Sequence, residues 1–108
     1  MNLRRDIFQA IADPTRRSIL LLLACQSMTA GVIASNFNTA RPTISKHLQI
    51  LNECELIEGN KQGREIYYQI KFDKMNEVEV WLNQFKKIWE NRFTELDDVL
   101  LTMKKKYP

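Results

Sequence analysis

Thr39-Ala40-Arg41-Pro42-Thr43-Ile44-Ser45-Lys46-His47-Leu48-Gln49-Ile50-Leu51-Asn52-Glu53 leads through Cys54-Glu55-Leu56 into Ile57-Glu58-Gly59-Asn60-Lys61-Gln62-Gly63-Arg64-Glu65-Ile66-Tyr67-Tyr68. The two halves obey different periods. Ile44, Leu48 and Leu51 recur at i, i+4 and i+7, which predicts a helix with one apolar stripe. Thr39 is its expected cap, Pro42 falls in the first turn, where it is tolerated, and the helix should end near Glu53. Beyond Leu56 apolar and polar residues alternate. Two strands, Ile57–Asn60 and Glu65–Ile70, are expected around the bend Lys61-Gln62-Gly63-Arg64, a hairpin with glycine at the turn.

Upstream, Leu3 to Ala12 carries Leu3, Ile7, Phe8 and Ile11 at helical spacing. Asp13-Pro14 then punctuates the chain: Asp is a good N-cap, and Pro suits the first helical position because its missing N–H would be unpaired there. The second helix should run from Pro14 to about Cys25, with Ile19 to Leu23 apolar nearly all round and so buried. Thr29 caps a short third helix, Ala30 to Asn36, whose Val32 and Ile33 are expected to face inward, and Asn36 to Thr39 reads as a turn.

Downstream, the helical period returns from Lys74 to Lys105 with no Gly or Pro. Val78, Leu82, Phe85, Trp89, Leu96, Val99 and Met103 follow spacings of four and three, interrupted by Arg92, with Trp81, Ile88, Phe93 and Leu100 beside them. The predicted order is helix, helix, helix, helix, hairpin, long helix. It corresponds to a mainly α fold with a small β-hairpin, the winged helix-turn-helix plan α-α-α-α-β-β-α. Residues 1–108 form one such domain, with 74–106 as its long C-terminal helix.

Bulk properties fit one small domain. The chain has 108 residues with 44% apolar content, enough for a single core. The longest apolar run, Ile19 to Cys25, is far too short to span a membrane. No apolar segment follows Arg4-Arg5, so no secretory signal is expected and the cytoplasm is the expected location. Cys25 and Cys54 lie 29 positions apart, neither a disulfide framework nor a Cys-x-x-Cys pair. They read as two half-buried thiols near helix ends. Net charge is +3, and residues 1–72 hold nine Lys/Arg against six Asp/Glu while residues 73–108 hold seven of each. The positive excess therefore lies in the first two-thirds, which is compatible with nucleic acid.

In a helix-turn-helix the second helix of the pair enters the major groove. At about 100° per residue from Ile44, Pro42, Lys46 and Gln49 fall opposite the core with Ser45 beside them. Arg41 and Thr43 lie in the first turn, whose backbone N–H groups could also meet a phosphate. Arg and Lys can read guanine, Gln adenine, and Ser or Thr either. Taken alone, this helix is equally well an amphipathic helix with a solvated face. The hairpin tips the balance, because Lys61 and Arg64 flank Gln62-Gly63 and present two cations to a neighbouring minor groove or its phosphates. His47, about 60° from the core stripe, is expected to pack or to touch phosphate. A single histidine makes a Ser-His-Asp or Cys-His active site improbable. No enzyme activity and no cofactor are expected.

Three of these blocks resemble a known family. Ala12-Asp13-Pro14-Thr15-Arg16-Arg17-Ser18-Ile19-Leu20 is similar to the opening signature of the ArsR/SmtB repressors. Arg41 to Leu48 with Leu51 is similar to their recognition helix, and Gln62-Gly63-Arg64-Glu65-Ile66-Tyr67-Tyr68 to their wing. The resemblance implies a homodimeric repressor on double-stranded DNA whose interface is built from the first and last helices. Leu3, Ile7, Trp81, Leu82, Phe85, Trp89, Phe93 and Leu96 are the residues expected there. Many members sense metals through cysteines on the third helix or His and carboxylate pairs on the last. Met28 to Ala34 holds no Cys or His, and the last helix holds no His, so no metal is expected. The long aromatic last helix is similar to that of the metal-free, SdpR-like autorepressor subgroup.

The leading expectation is therefore a sequence-specific repressor that binds an inverted-repeat operator without a metal effector. Two alternatives stand beside it: a protein–protein interaction module using the aromatic last helix, and a thiol- or small-molecule-gated sensor using Cys25 or Cys54. Trp81, Phe85 and Trp89 could also form a ligand box, but at helical spacing they read first as interface core.

Overall fold

Short polar side chains start three of the helices in the computed structural model, which describes residues 6–106. Asp6 accepts the Gln9 N–H at 2.9 Å and opens α1 (Ile7–Ile11). Asp13 accepts the Arg16 N–H at 3.0 Å and opens α2 (Pro14–Cys25), with Pro14 at its first position. Thr29 accepts the Val32 N–H at 3.3 Å and opens α3 (Ala30–Ser35). The next helix, α4 (Arg41–Glu53), has Ala40 at its N-cap and no side-chain cap, so Thr39 lies one residue too early for the role expected of it.

The hairpin is longer than its alternation predicts. Strands β2 (Ile57–Gln62) and β3 (Glu65–Ile70) are antiparallel in register from Ile57 opposite Ile70 to Gln62 opposite Glu65. The loop is only Gly63-Arg64, and Gly63 takes φ 67° at its first position, where a side chain would be strained. A further two-residue strand, β1 (Met28–Thr29), pairs antiparallel with β3 and gives the sheet order β1-β3-β2. Thr29 thus ends a strand and caps a helix at once.

Ile44, Leu48 and Leu51 on α4 are buried, as their spacing predicts. They join Ile19, Ile33, Leu56 and Ile57 in the core. Each fully buried side chain of this size contributes roughly 1.5–3 kcal/mol over an exposed one. Three expectations are corrected. On α2 only Ile19, Leu20 and Leu23 are buried and Leu21 is 71% exposed, so that helix is one-sided after all. On α3 Ile33 is buried while Val32 is 49% exposed, because neighbouring helical positions diverge by about 100°. The two thiols differ: Cys25 is exposed at the end of α2, and Cys54 is buried at the C-cap of α4.

The final helix, α5 (Met75–Lys106), spans 32 residues with Glu77 in its first turn and Lys104, Lys105 and Lys106 in its last, the charge order that complements a helix dipole. The chain divides into two units, 1–76 and 77–108, with the boundary inside α5. None of the described helices is long and apolar enough to cross a membrane.

Candidate nucleic-acid interface

Ile44, Leu48 and Leu51 fix which face of α4 is covered, and the opposite face is left open. Arg41, Pro42, Thr43, Ser45, Lys46 and Gln49 are all exposed. The backbone of the first turn has less to offer an anion than expected. Pro42 has no N–H, and the Thr43 N–H already donates to the Ala40 carbonyl at 3.0 Å. The exposed polar groups of this turn are therefore mainly its side chains. Gln49 donates its amide Nε2 to Glu53 Oε1 at 3.2 Å, which leaves its carbonyl oxygen directed elsewhere.

The wing carries Lys61 on β2, opposite Ile66, and Arg64 in the turn, both exposed. One groove runs between the start of α3, the start of α4 and β3. It is lined by Thr29, Ala30, Gly31, Arg41, Arg64, Glu65, Ile66 and Tyr68 and encloses about 370 Å³. Arg41 and Arg64, 23 positions apart in sequence, are thereby brought to one surface. A Cβ at Gly31 would lie 3.9 Å from the Arg41 guanidinium, an ordinary contact, so the groove does not depend on glycine there. Lys46, Gln49 and Lys61 do not line this groove. On the other face of the wing, Tyr67 donates its hydroxyl to Glu65 at 3.2 Å, and that hydrogen bond and the carboxylate charge push the phenol pKa up.

Two residues outside the expected set bear on α4. Arg16 on α2 donates Nε to the Ala10 carbonyl at 2.7 Å and Nη2 to the Gln9 carbonyl at 3.1 Å, closing the end of α1. Its Nη1 lies 3.3 Å from Nδ1 of His47 on α4. Asp13 Oδ2, the α2 cap, lies 3.9 Å from the same ring nitrogen. Burial pushes the Asp13 carboxyl upward. The Arg16 backbone N–H, the charge of His47, the charge of Arg16 and the Thr15 N–H outweigh it and hold the group below its ordinary pKa of 3.8. The Asp13-Pro14-Thr15-Arg16 block was readable as a helix start, but not as a link to His47.

Ile7, expected at the dimer interface, is 3% exposed and lies in the core of the chain itself. Its neighbours Phe8 and Ile11 are the half-exposed apolar residues of α1. Leu3 lies outside the described residues. On α5 the six expected interface residues are all exposed: Trp81, Leu82, Phe85, Trp89, Phe93 and Leu96. At about 100° per residue they fall within an arc of roughly 120°. Trp81 meets Phe85 edge-on at 4.8 Å, and Trp89 meets Phe93 edge-on at 5.0 Å. The cleft beside Trp89, Phe93, Leu96 and Val99 is lined by one helix alone, so it is an open face and not an enclosed ligand box. Among the described residues no three His, Cys, Asp or Glu are grouped so as to hold a metal ion.

Residues 13–59 match the family described as bacterial regulatory protein, arsR family. The transcriptional repressor SdpR of Bacillus subtilis (strain 168) is 44% identical over 80 residues, spanning 74% of this chain and 89% of that protein. The arsenical resistance operon repressor of Staphylococcus xylosus is 31% identical over 72 residues, 67% of this chain and 69% of that protein. Among solved structures, an ArsR-like transcriptional regulator from Rhodococcus sp. RHA1 superimposes with a TM-score of 0.74 at 31% identity, covering 90% of this chain and 89% of its own. A second ArsR family transcriptional regulator superimposes with a TM-score of 0.71 at 38% identity, covering 78% of this chain and 87% of its own.

Proposed function

Because this chain belongs to the ArsR family of bacterial regulatory proteins, we propose that it is a homodimeric repressor that reads an inverted-repeat operator through α4 and the β2–β3 wing, with no metal effector. Membership makes it a DNA-binding transcriptional regulator with a winged-helix fold, and not an enzyme. The finer reading rests on one observation above others. The uncovered face of α4 presents Arg41, Thr43, Ser45, Lys46 and Gln49 together, and Arg41 shares a groove with Arg64 of the wing. Lys46 and Gln49 suit base edges, while Arg41, Lys61 and Arg64 suit phosphates. The whole of 1–108 acts as one regulator, working in the cytoplasm where bacterial DNA lies, with 74–106 as its dimerisation helix.

Solvent exposure supports the dimer. No residue of α5 is buried, although the helix carries two tryptophans and two phenylalanines on one face. A stripe of that size is costly in water, and a two-fold pairing of identical stripes covers it. The two recognition helices of such a dimer enter successive major grooves, roughly 34 Å apart.

The deciding experiment is selection of bound duplexes from a random pool, followed by affinity measurements across a salt series. An imperfect inverted repeat, bound with an affinity that falls steeply with salt, is the expected result, since phosphate contacts release counterions. A protein that only pairs helices with another protein selects no sequence. Zinc, cadmium or arsenite should change operator affinity by less than about twofold, below the range of an evolved coupling. Release of the operator by a stoichiometric ion would remove the metal-free part of this reading.

A further inference from the structure

The Arg16 guanidinium joins three elements through three of its N–H groups. Nε and Nη2 hold the Ala10 and Gln9 carbonyls at the end of α1, and Nη1 reaches His47 Nδ1 on α4 at 3.3 Å. A guanidinium only donates, so in this contact Nδ1 can act only as the acceptor. Asp13 holds Arg16 in place from behind, accepting its backbone N–H at 3.0 Å. At the other end of α1, Cys54 Sγ at the C-cap of α4 lies 3.5 Å from the Asp6 carbonyl. α4 is thus tied to both ends of α1, once near its middle and once at its C-terminus.

His47 sits between exposed Lys46 and buried Leu48, at the edge of the apolar stripe. A tie at that edge resists rotation of α4 about its own axis. Apolar packing of Ile44, Leu48 and Leu51 is non-directional and sets the angle less sharply than a hydrogen bond does. A rotation of about 15° would move a side-chain tip about 7 Å from the axis by roughly 1.8 Å, enough to break a bidentate base contact. We propose that Arg16 is a positioning residue for operator reading: through His47 it fixes the angular setting of α4 and so aims Lys46 and Gln49 at the bases. This rests on the reading of α4 as the base-reading helix.

The test compares operator affinity with affinity for a scrambled duplex, well below the melting temperature. His47→Ala cuts the α4 end of the tie and leaves the α1 carbonyls bound. It should weaken operator binding about five- to tenfold and leave scrambled-duplex binding within twofold. His47→Asn places a carbonyl oxygen where Nδ1 stood and should restore binding to within twofold of the parent. Arg16→Gln should match His47→Ala, and the double variant should lose no more than the worse single one. If Arg16→Gln does not fold, the two His47 variants decide alone. Equal losses on both duplexes would make His47 a direct phosphate contact and overturn the proposal, as would unchanged operator binding by His47→Ala. Lys46→Ala separates this from the parent reading: should it weaken operator binding while His47→Ala does not, only the positioning role falls. If neither changes operator binding, the assignment of α4 fails first.

Discussion

The backbone N–H of Leu56 donates to the carbonyl of Leu51 at 3.0 Å, spanning the end of α4. With the Glu55 N–H on the Asn52 carbonyl at 3.1 Å, it forms the paired closure that places the intervening residue in the left-handed region. That residue is Glu55, at φ 59°. A side chain there costs roughly 1 kcal/mol, which glycine does not incur. Glu55 also pairs with Lys74 at 3.4 Å, but both side chains are well exposed and such a pair contributes about 0–1 kcal/mol. Glu55→Gly should therefore raise stability, by up to about 1 kcal/mol or several degrees in Tm. Thermal melts of Glu55→Gly and Lys74→Ala check this; a lower Tm for the glycine variant would mean that the ion pair outweighs the backbone strain.

The α4 core stripe was legible because only one face of that helix is covered, so Ile44, Leu48 and Leu51 stand out against polar neighbours. α2 was misjudged for the opposite reason: five consecutive apolar residues carry no period, and nothing local marks Leu21 as the one that points outward. β1 was missed because two residues cannot show alternation and their partners, Tyr67 and Tyr68, lie far along the chain. The residues of α4 and the wing proposed to read DNA could be singled out from spacing and charge, and they are exposed. Arg16 could not, since its link to His47 spans 31 positions and depends on how α2 crosses α4.

Acid should act on the start of α2. The Asp13 carboxyl titrates below its unfolded value of 3.8 in the folded chain. Its stabilisation is therefore complete above that value and lost as pH falls through the lower folded one. Urea melts of the parent should show a loss of stability below about pH 4 that is smaller in Asp13→Asn, which can still cap but does not titrate. At neutral pH Asp13→Ala should cost about 1 kcal/mol, within the range of about 0.5–2 for a lost cap. Matching acid slopes for parent and Asp13→Asn would place the titration elsewhere.

A side chain at Gly59 would crowd the wing. A Cβ there would lie 2.8 Å from Ile66 Cγ2 and 3.4 Å from the Tyr68 ring across the hairpin. Ile66 is branched at Cβ and cannot swing its methyl aside freely. Gly59→Ala should destabilise by about 1 kcal/mol, near the lower end for overpacking. Adding Ile66→Ala should recover part of that loss despite the weaker strand propensity. If the double variant is simply the sum of the singles, the contact is not the cause.

The exposed aromatics of α5 give a size prediction. If Trp81 and Trp89 lie in a dimer core, truncating each to Ala should cost about 3–5 kcal/mol. The double variant should then raise the dimer dissociation constant about ten-thousandfold or more, since each 1.4 kcal/mol is about a factor of ten. Sedimentation at micromolar concentration should find the parent at twice the 12.8 kDa chain mass and the variant at the chain mass. A parent that sediments as a monomer would remove both the dimer and the two-fold operator.

The proposed DNA surface divides into two kinds of contact, which salt should distinguish. Lys46 and Gln49 lie on the exposed face of α4, where a bidentate base contact contributes about 1–3 kcal/mol of discrimination. Lys46→Ala or Gln49→Ala should cost about that much on the selected operator and relax preference at one position per half-site. Lys61 and Arg64 are exposed on the wing, where the proposed partner is phosphate or the minor groove. Lys61→Ala or Arg64→Ala should weaken all duplexes alike and flatten log K against log salt by about 0.9 per lost phosphate contact in each subunit. Arg41 shares its groove with Arg64, so Arg41→Ala and Arg64→Ala should be non-additive if one phosphate sits between them. Fluorescence anisotropy across a salt series reads all of these, with circular dichroism as the folding control. Parent-like binding by folded Lys46, Gln49, Lys61 and Arg64 variants would move the DNA surface off α4 and the wing altogether.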